Sequence, residues 1–175
     1  MIHWLSQLFG IGAMISLFMI YQQSDRKRLL CCKLSADICW VIHYVCLGAY
    51  SGAIPNFSGI FRELIFMHRD EKKWAGYPFW PFVFIAFNLL LGLHTFSVPI
   101  NILPIAASAC VTIFLWLRRP TLTKIISIPV SLTFLIYDIF VGSWVGVLNE
   151  SLAIVSIFLS FIRTHLQRRN TNEQH

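Results

Sequence analysis

Charge is what this sequence lacks. Only 13% of its 175 residues are Asp, Glu, Lys or Arg, about half the share of an ordinary globular protein, while 57% are hydrophobic. A soluble domain of this length has too little interior to hide so much apolar surface, so soluble enzymes, nucleic-acid readers and disordered tails are excluded. The cysteines Cys31, Cys32, Cys39, Cys46 and Cys110 show no C-x-x-C spacing and no paired His, and they read as small buried apolar residues. His3, His94 and His175 sit at ends or loops and suggest no metal site. There is no phosphate-binding motif, and no nucleophile, base and orienting group fall at compatible depths, so neither an enzyme nor a cofactor is called for. Nor does a basic region precede the first apolar stretch, which argues against a signal peptide.

What is present is a series of apolar stretches cut by charge clusters and turn residues. They run Ile2 to Gln22, Leu29 to Tyr50, Ala53 to His68, Tyr77 to Thr95, Ile100 to Leu117, Ile125 to Ser143 and Val145 to Arg163. A hydrocarbon core about 30 Å thick needs roughly 20 helical residues, so these predict seven transmembrane helices. Basic residues gather at alternate junctions: Arg26, Lys27, Arg28 and Lys33; Arg69, Lys72 and Lys73; Arg118, Arg119 and Lys124; Arg163, Arg168 and Arg169. The intervening junctions carry no Lys or Arg. The positive-inside rule then sets the N-terminus outside and the C-terminus in the cytoplasm. Spread among inner loops in this way, the net charge of +6 forms no basic face for nucleic acid, and the expected partner is the lipid bilayer.

The chain also repeats itself. Gly48-Ala49-Tyr50-Ser51-Gly52 after the second stretch matches Gly142-Ser143-Trp144-Val145-Gly146 after the sixth, at an offset of 94. The same offset sets Ile42 on Ile136, Tyr44 on Asp138, Asn56 on Glu150 and Arg69 on Arg163. Gly-x-x-x-Gly is common wherever helices pack closely, but both copies carry a central aromatic at an uncharged corner. Two three-helix units that each begin outside and end inside need one odd helix between them. The result is an all-α, 3+1+3 bundle of parallel repeats: repeat one 1–69, linker helix 77–95, repeat two 100–166 and a polar C-terminal tail 167–175.

With these corners and this plan, the chain resembles the YgjV-type family of bacterial inner-membrane proteins over nearly its whole length, and more distantly the SWEET and PQ-loop sugar and amino-acid carriers. The resemblance implies a multi-pass protein of the bacterial inner membrane and a SWEET-like small-solute carrier, with a non-transporting membrane scaffold or regulatory protein as the alternative. It also implies that Trp40, Tyr44 and Asn56 stand at solute-contacting positions, and the carrier reading lines its midplane cavity with these three together with Asp138 and Glu150. Tyr21-Gln22 occupies the place of that family's Pro-Gln pair, Pro129 stands at one hinge-proline position, and Glu150 replaces an Asn.

Charges inside a bilayer cost about 2.5 to 3.5 kcal/mol each, so each needs a partner or a purpose. Asp37 and Arg62 fall at similar depth and are expected to pair, as a structural clamp or as a gate; Glu63 either joins them or reaches the cytoplasmic side. Asp138 and Glu150 fall at similar depth on neighbouring antiparallel helices. Either they share a proton or a cation, the basis of a proton-coupled carrier, or each is hydrogen-bonded to neighbours such as Tyr137 or Asn149, or faces outer-leaflet water. Asn56, His43, Asn88 and Tyr44 either line a polar cavity for a small polar solute or act as interhelical glue. Trp80, Trp144, Tyr50 and Trp74 read as interfacial anchors.

Overall fold

The computed structural model describes residues 2–20, 26–95, 97–117 and 120–172. Seven α-helices account for most of them: α1 (Ile2–Ile20), α2 (Arg26–Cys46), α3 (Tyr50–Met67), α4 (Trp80–His94), α5 (Ile102–Leu117), α6 (Pro120–Val141) and α7 (Trp144–Asn172). Short 3-10 turns precede α4 and α5, and the described residues contain no strand. Each helix lies within a few residues of an apolar stretch, because in hydrocarbon a backbone without internal hydrogen bonds is too costly to keep. The expected tail is not separate, since α7 continues through residues 167–172. Tyr21-Gln22, Asp25, Arg118, Arg119 and His175 lie outside the described residues, as do the side chains of Arg26, Lys124, Arg163, Arg168 and Arg169.

Two helical stretches, Lys27–Cys46 and Pro99–Leu117, are long and apolar enough to qualify as membrane-crossing on length and composition. Helices α1, α4, α6 and α7 carry shorter apolar stretches. Helix α3 spends its apolar run on Arg62 and Glu63.

The distribution of side chains identifies the surrounding solvent. Trp4, Phe82, Leu90 and Leu93 are at least two-thirds exposed, while Ser6, Asp37, His43, Ser58, Arg62, Glu63, Asn88, Thr112 and Asp138 are almost completely buried. In water this arrangement would forgo the burial of large side chains at about 25 cal/mol per Å². In lipid it is the low-energy arrangement, because apolar groups face chains of their own kind and polar groups find partners inside. The cysteines depart from expectation in this respect. Cys31 and Cys110 are exposed and the other three partly buried, with Cys39 packed against the core around Trp40 and Tyr44.

Helix α2 packs against both α1 and α3, and α6 against both α5 and α7; α4 lies against α3 and α5, and α1 touches α7. Two corners with the same backbone geometry terminate α2 and α6. Gly48 and Gly142 take φ of 71° and 72°, the left-handed region that only glycine enters without strain. Just beyond them the Ala49 N–H closes on the Tyr44 carbonyl at 2.9 Å, and the Ser143 N–H on the Asp138 carbonyl at 2.9 Å. Both corners lie at one end of the bundle. At the other end Lys27 meets Glu71, and the Arg69 guanidinium lies 3.7 Å over the Trp116 ring.

Candidate functional site: a cavity between the helices

Helix α2 turns one stripe of side chains inward. Lys33, Asp37, Trp40 and Tyr44 follow one another at steps of four, three and four, which stacks them on a single helix face. All four line a cavity of about 200 Å³. Asn56 of α3, Phe114 of α5, Ser131 and Phe134 of α6, and Asn149 and Glu150 of α7 complete its functional wall, with Leu17 and Val111 among the apolar residues.

Eight of the fourteen lining residues follow a constant offset. Tyr44 and Asp138 are 94 residues apart, and the Tyr44 hydroxyl donates to Asp138 Oδ1 at 2.8 Å. The same separation relates Leu17 to Val111, Asp37 to Ser131, Trp40 to Phe134 and Asn56 to Glu150, and both members of each pair are on the wall. The expectation that Asp138 lines the cavity is corrected: it is not on the wall but stands behind Tyr44, whose hydroxyl holds it there.

Above the cavity the two corners brace each other. His43 on α2 reaches across so that Nε2 meets Ser143 Oγ at 2.8 Å, while its Nδ1 lies 2.8 Å from the Ser6 carbonyl oxygen. A carbonyl can only accept, so Nδ1 carries the proton. In the opposite sense, Tyr137 on α6 reaches the first corner, where its Oη accepts the Gly52 N–H at 2.9 Å. Such close approach depends on the second glycine of each corner. A Cβ on Gly52 would stand 2.7 Å from the Tyr137 ring, and one on Gly146 would strike the Asp138 carboxylate. Trp40 stacks on Tyr44 with ring centres 5.6 Å apart, and His43 meets both rings edge-on at 5.2 Å.

Below this brace lies a charge network. Lys33 Nζ is 2.8 Å from Asp37 Oδ1 and 3.8 Å from Glu63 Oε1, and Arg62 Nη2 is 3.0 Å from the same Glu63 oxygen. The expected Asp37 to Arg62 pair is therefore replaced. Lys33, one turn before Asp37 on the same helix, reaches it without crossing to a neighbour. Arg62 turns instead to Glu63 and donates to Thr112 Oγ1 on α5 at 3.0 Å. Glu63 does join the cluster, as the link between Lys33 and Arg62.

The two carboxylates of the C-terminal unit behave differently. Asp138 takes the Tyr44 hydroxyl rather than Tyr137, and Glu150 Oε1 accepts the Asn149 amide at 3.0 Å. No hydrogen bond joins them to each other among the described residues. Of the other polar candidates, Asn56 is on the wall with its amide donated to the Gly52 carbonyl at 3.0 Å. His43 serves the corner brace, and Asn88 ties α4 to α3 through Ser58 at 2.9 Å, so both act as glue. Tyr50, Trp80 and Trp144 begin α3, α4 and α7, and the Trp80 indole donates to the Trp74 carbonyl at 2.7 Å. Reading the sequence alone passed over Lys33 and Ser131. The α2 spacing was the available signal for Lys33; a lone serine carries none.

A helical bundle with an apolar exterior and charged groups sealed inside defines an integral membrane protein. More specifically, the family model for Imp-YgjV, a bacterial inner membrane protein family, matches residues 4–168, and the chain belongs to that family. Comparison with curated proteins and with solved structures gives no match.

Proposed function

We propose that this protein is a small-solute carrier that crosses the inner membrane seven times, as two parallel repeats, residues 1–69 and 100–166, joined by α4. The N-terminus is outside and the C-terminus cytoplasmic. One observation carries the reading: a cavity of about 200 Å³, walled from both units, that reaches Asn56 and Glu150. The pairing of wall positions at a constant offset, and the reciprocal corner bonds of His43 and Tyr137, support the two repeats.

In this reading the bonds of Tyr44 to Asp138, His43 to Ser143 and Tyr137 to Gly52 form the closed outer gate. Lys33 marks the cytoplasmic mouth, near the basic end. Alternating access then consists of releasing those bonds while the two units close below the solute, as in SWEET-like carriers. Any proton coupling falls to Asp138 and Glu150.

Flux tests the proposal directly. Purified protein in liposomes, loaded with a panel of small polar metabolites, should move at least one of them, and Asn56→Ala and Glu150→Gln should each slow it. No flux or binding across the panel, with both variants indistinguishable from the parent, would leave the scaffold reading in possession. Cysteine-accessibility mapping that found both ends of the chain in one compartment would overturn the odd number of crossings.

A further inference from the structure

The charges in and around the cavity do not balance: Asp138 is buried and Glu150 partly buried on the wall. In the N-terminal unit Lys33 and Arg62 answer Asp37 and Glu63 one for one. Across the cavity, Glu150 meets only neutral donors, the Asn149 amide and the Ser131 hydroxyl, and Asp138 has the Tyr44 phenol. Among the described residues no Lys, Arg or His nitrogen lies within 4.0 Å of either carboxylate. Lys33 is on the same wall and attracts Glu150 at a distance, but its ammonium is hydrogen-bonded to Asp37. Asp37 contributes one more acceptor, since its Oδ2 is buried without a hydrogen-bond partner. A carboxylate removed from water without a cation is costly, and a cationic ligand removes that cost.

The rest of the wall determines which cation. Divalent metal ions require about six oxygen ligands in tight array, and among the described residues no three His, Cys, Asp or Glu side chains gather to hold one. Aromatic rings are plentiful instead: Trp40, Tyr44, Phe114 and Phe134. Rings and an isolated carboxylate together form the surface on which a poorly hydrated organic ammonium rests, its charge attracted by the ring faces. At about 200 Å³ the cavity is smaller than the roughly 300 to 1,000 Å³ of drug-sized sites.

We infer that the cavity binds a small organic monocation, an amine or quaternary ammonium, with Glu150 as its counter-ion and the rings of Trp40, Tyr44, Phe114 and Phe134 as its walls. The inference rests on the carrier reading and specifies the class of solute.

Choline and its uncharged isostere 3,3-dimethylbutan-1-ol differ in charge and hardly in shape, so they separate the two ideas. Calorimetric titration of the detergent-purified protein should show choline binding at least tenfold tighter than the isostere, equivalent to about 1.4 kcal/mol. Glu150→Gln should abolish that preference while leaving isostere binding unchanged, and Glu150→Asp should restore part of it. A thermal melt of each variant reports whether it is folded. Equal binding of the two probes by the parent protein, which needs no variant, overturns the cation assignment. Flux of a neutral metabolite in the same liposomes would then leave the carrier reading standing. If neither probe binds and nothing in the panel moves, both readings fall.

Discussion

The Gly48 and Gly142 corners share a geometry, while the two sides of the cavity divide the chemistry. In the N-terminal unit every buried charge has an opposite charge beside it, and the network runs on through Arg62 to Thr112 of the other half. In the C-terminal unit Asp138 and Glu150 rest on hydroxyls and an amide. A charge with its counter-charge built in is structural, whereas one without is available to something that comes and goes. This difference makes a measurable contrast. Arg62→Met strands Glu63 with Lys33 at 3.8 Å as its nearest cation, and removing one partner of a buried pair costs about 3 to 5 kcal/mol. The variant should unfold far earlier than the parent in a detergent or denaturant titration. Glu150→Gln, which removes an unpaired charge at constant shape, should be at least as stable as the parent. Comparable losses from the two would abolish the distinction.

The corners are where the halves are most alike, so equal injury should have equal effect. Gly52→Ala drives a methyl into the Tyr137 and Tyr44 rings, and Gly146→Ala drives one into Asp138 and Ser143. Overpacking of this kind costs about 1 to 3 kcal/mol. Each should lower the melting temperature by a similar amount, and tolerance of one but not the other would show that the corners are not equivalent. Tyr44→Phe is gentler in shape, but it takes the hydroxyl from Asp138 and leaves a buried acceptor unpaired, at a cost of about 1 to 3 kcal/mol. Because this bond joins the two units at the proposed outer gate, the same variant should raise the accessibility of a cysteine placed at Asn56 to an impermeant thiol reagent added from outside. Unchanged labelling would remove Tyr44 from the gate.

Depth along a helix was legible in the sequence; direction around it was not. Charge clusters and turn residues mark the helix ends closely, and the two Gly-x-x-x-Gly corners declare their shape because only glycine accepts φ near 70°. The inward stripe of α2 is likewise written in its spacing. Depth arithmetic also brought Asp37 level with Arg62, and Asp138 level with Glu150. It is silent on azimuth, so it overlooked Lys33, which shares the face of Asp37, and Tyr44, which faces Asp138. Ser131 was beyond reach because its role comes from its neighbours across the cavity. Cys31 and Cys110 were misjudged for another reason: in lipid an apolar side chain gains little from burial, so hydrophobicity stops predicting the interior.

The smallest effect belongs to the charged pair outside the bilayer. Lys27 Nζ lies 2.6 Å from Glu71 Oε1, joining the start of α2 to the turn after α3, with both side chains about half-exposed. The hydrogen bond and charge of Lys27 hold the Glu71 carboxyl below its usual range. A carboxylate with a lowered native pKa stabilises the fold above its ordinary pKa, and that stabilisation is lost as pH falls through the lowered one. Removing the charge by Glu71→Gln should therefore lower the melting temperature slightly at pH 7. The difference should vanish in acid below the carboxylate range, and should shrink with added salt because exposed pairs are screened. This pair is the control for the comparison above: the same two kinds of charge, placed in water, should contribute far less than Arg62 and Glu63 do in the interior. A loss from Glu71→Gln as large as that from Arg62→Met would mean that burial is not what gives the inner network its strength.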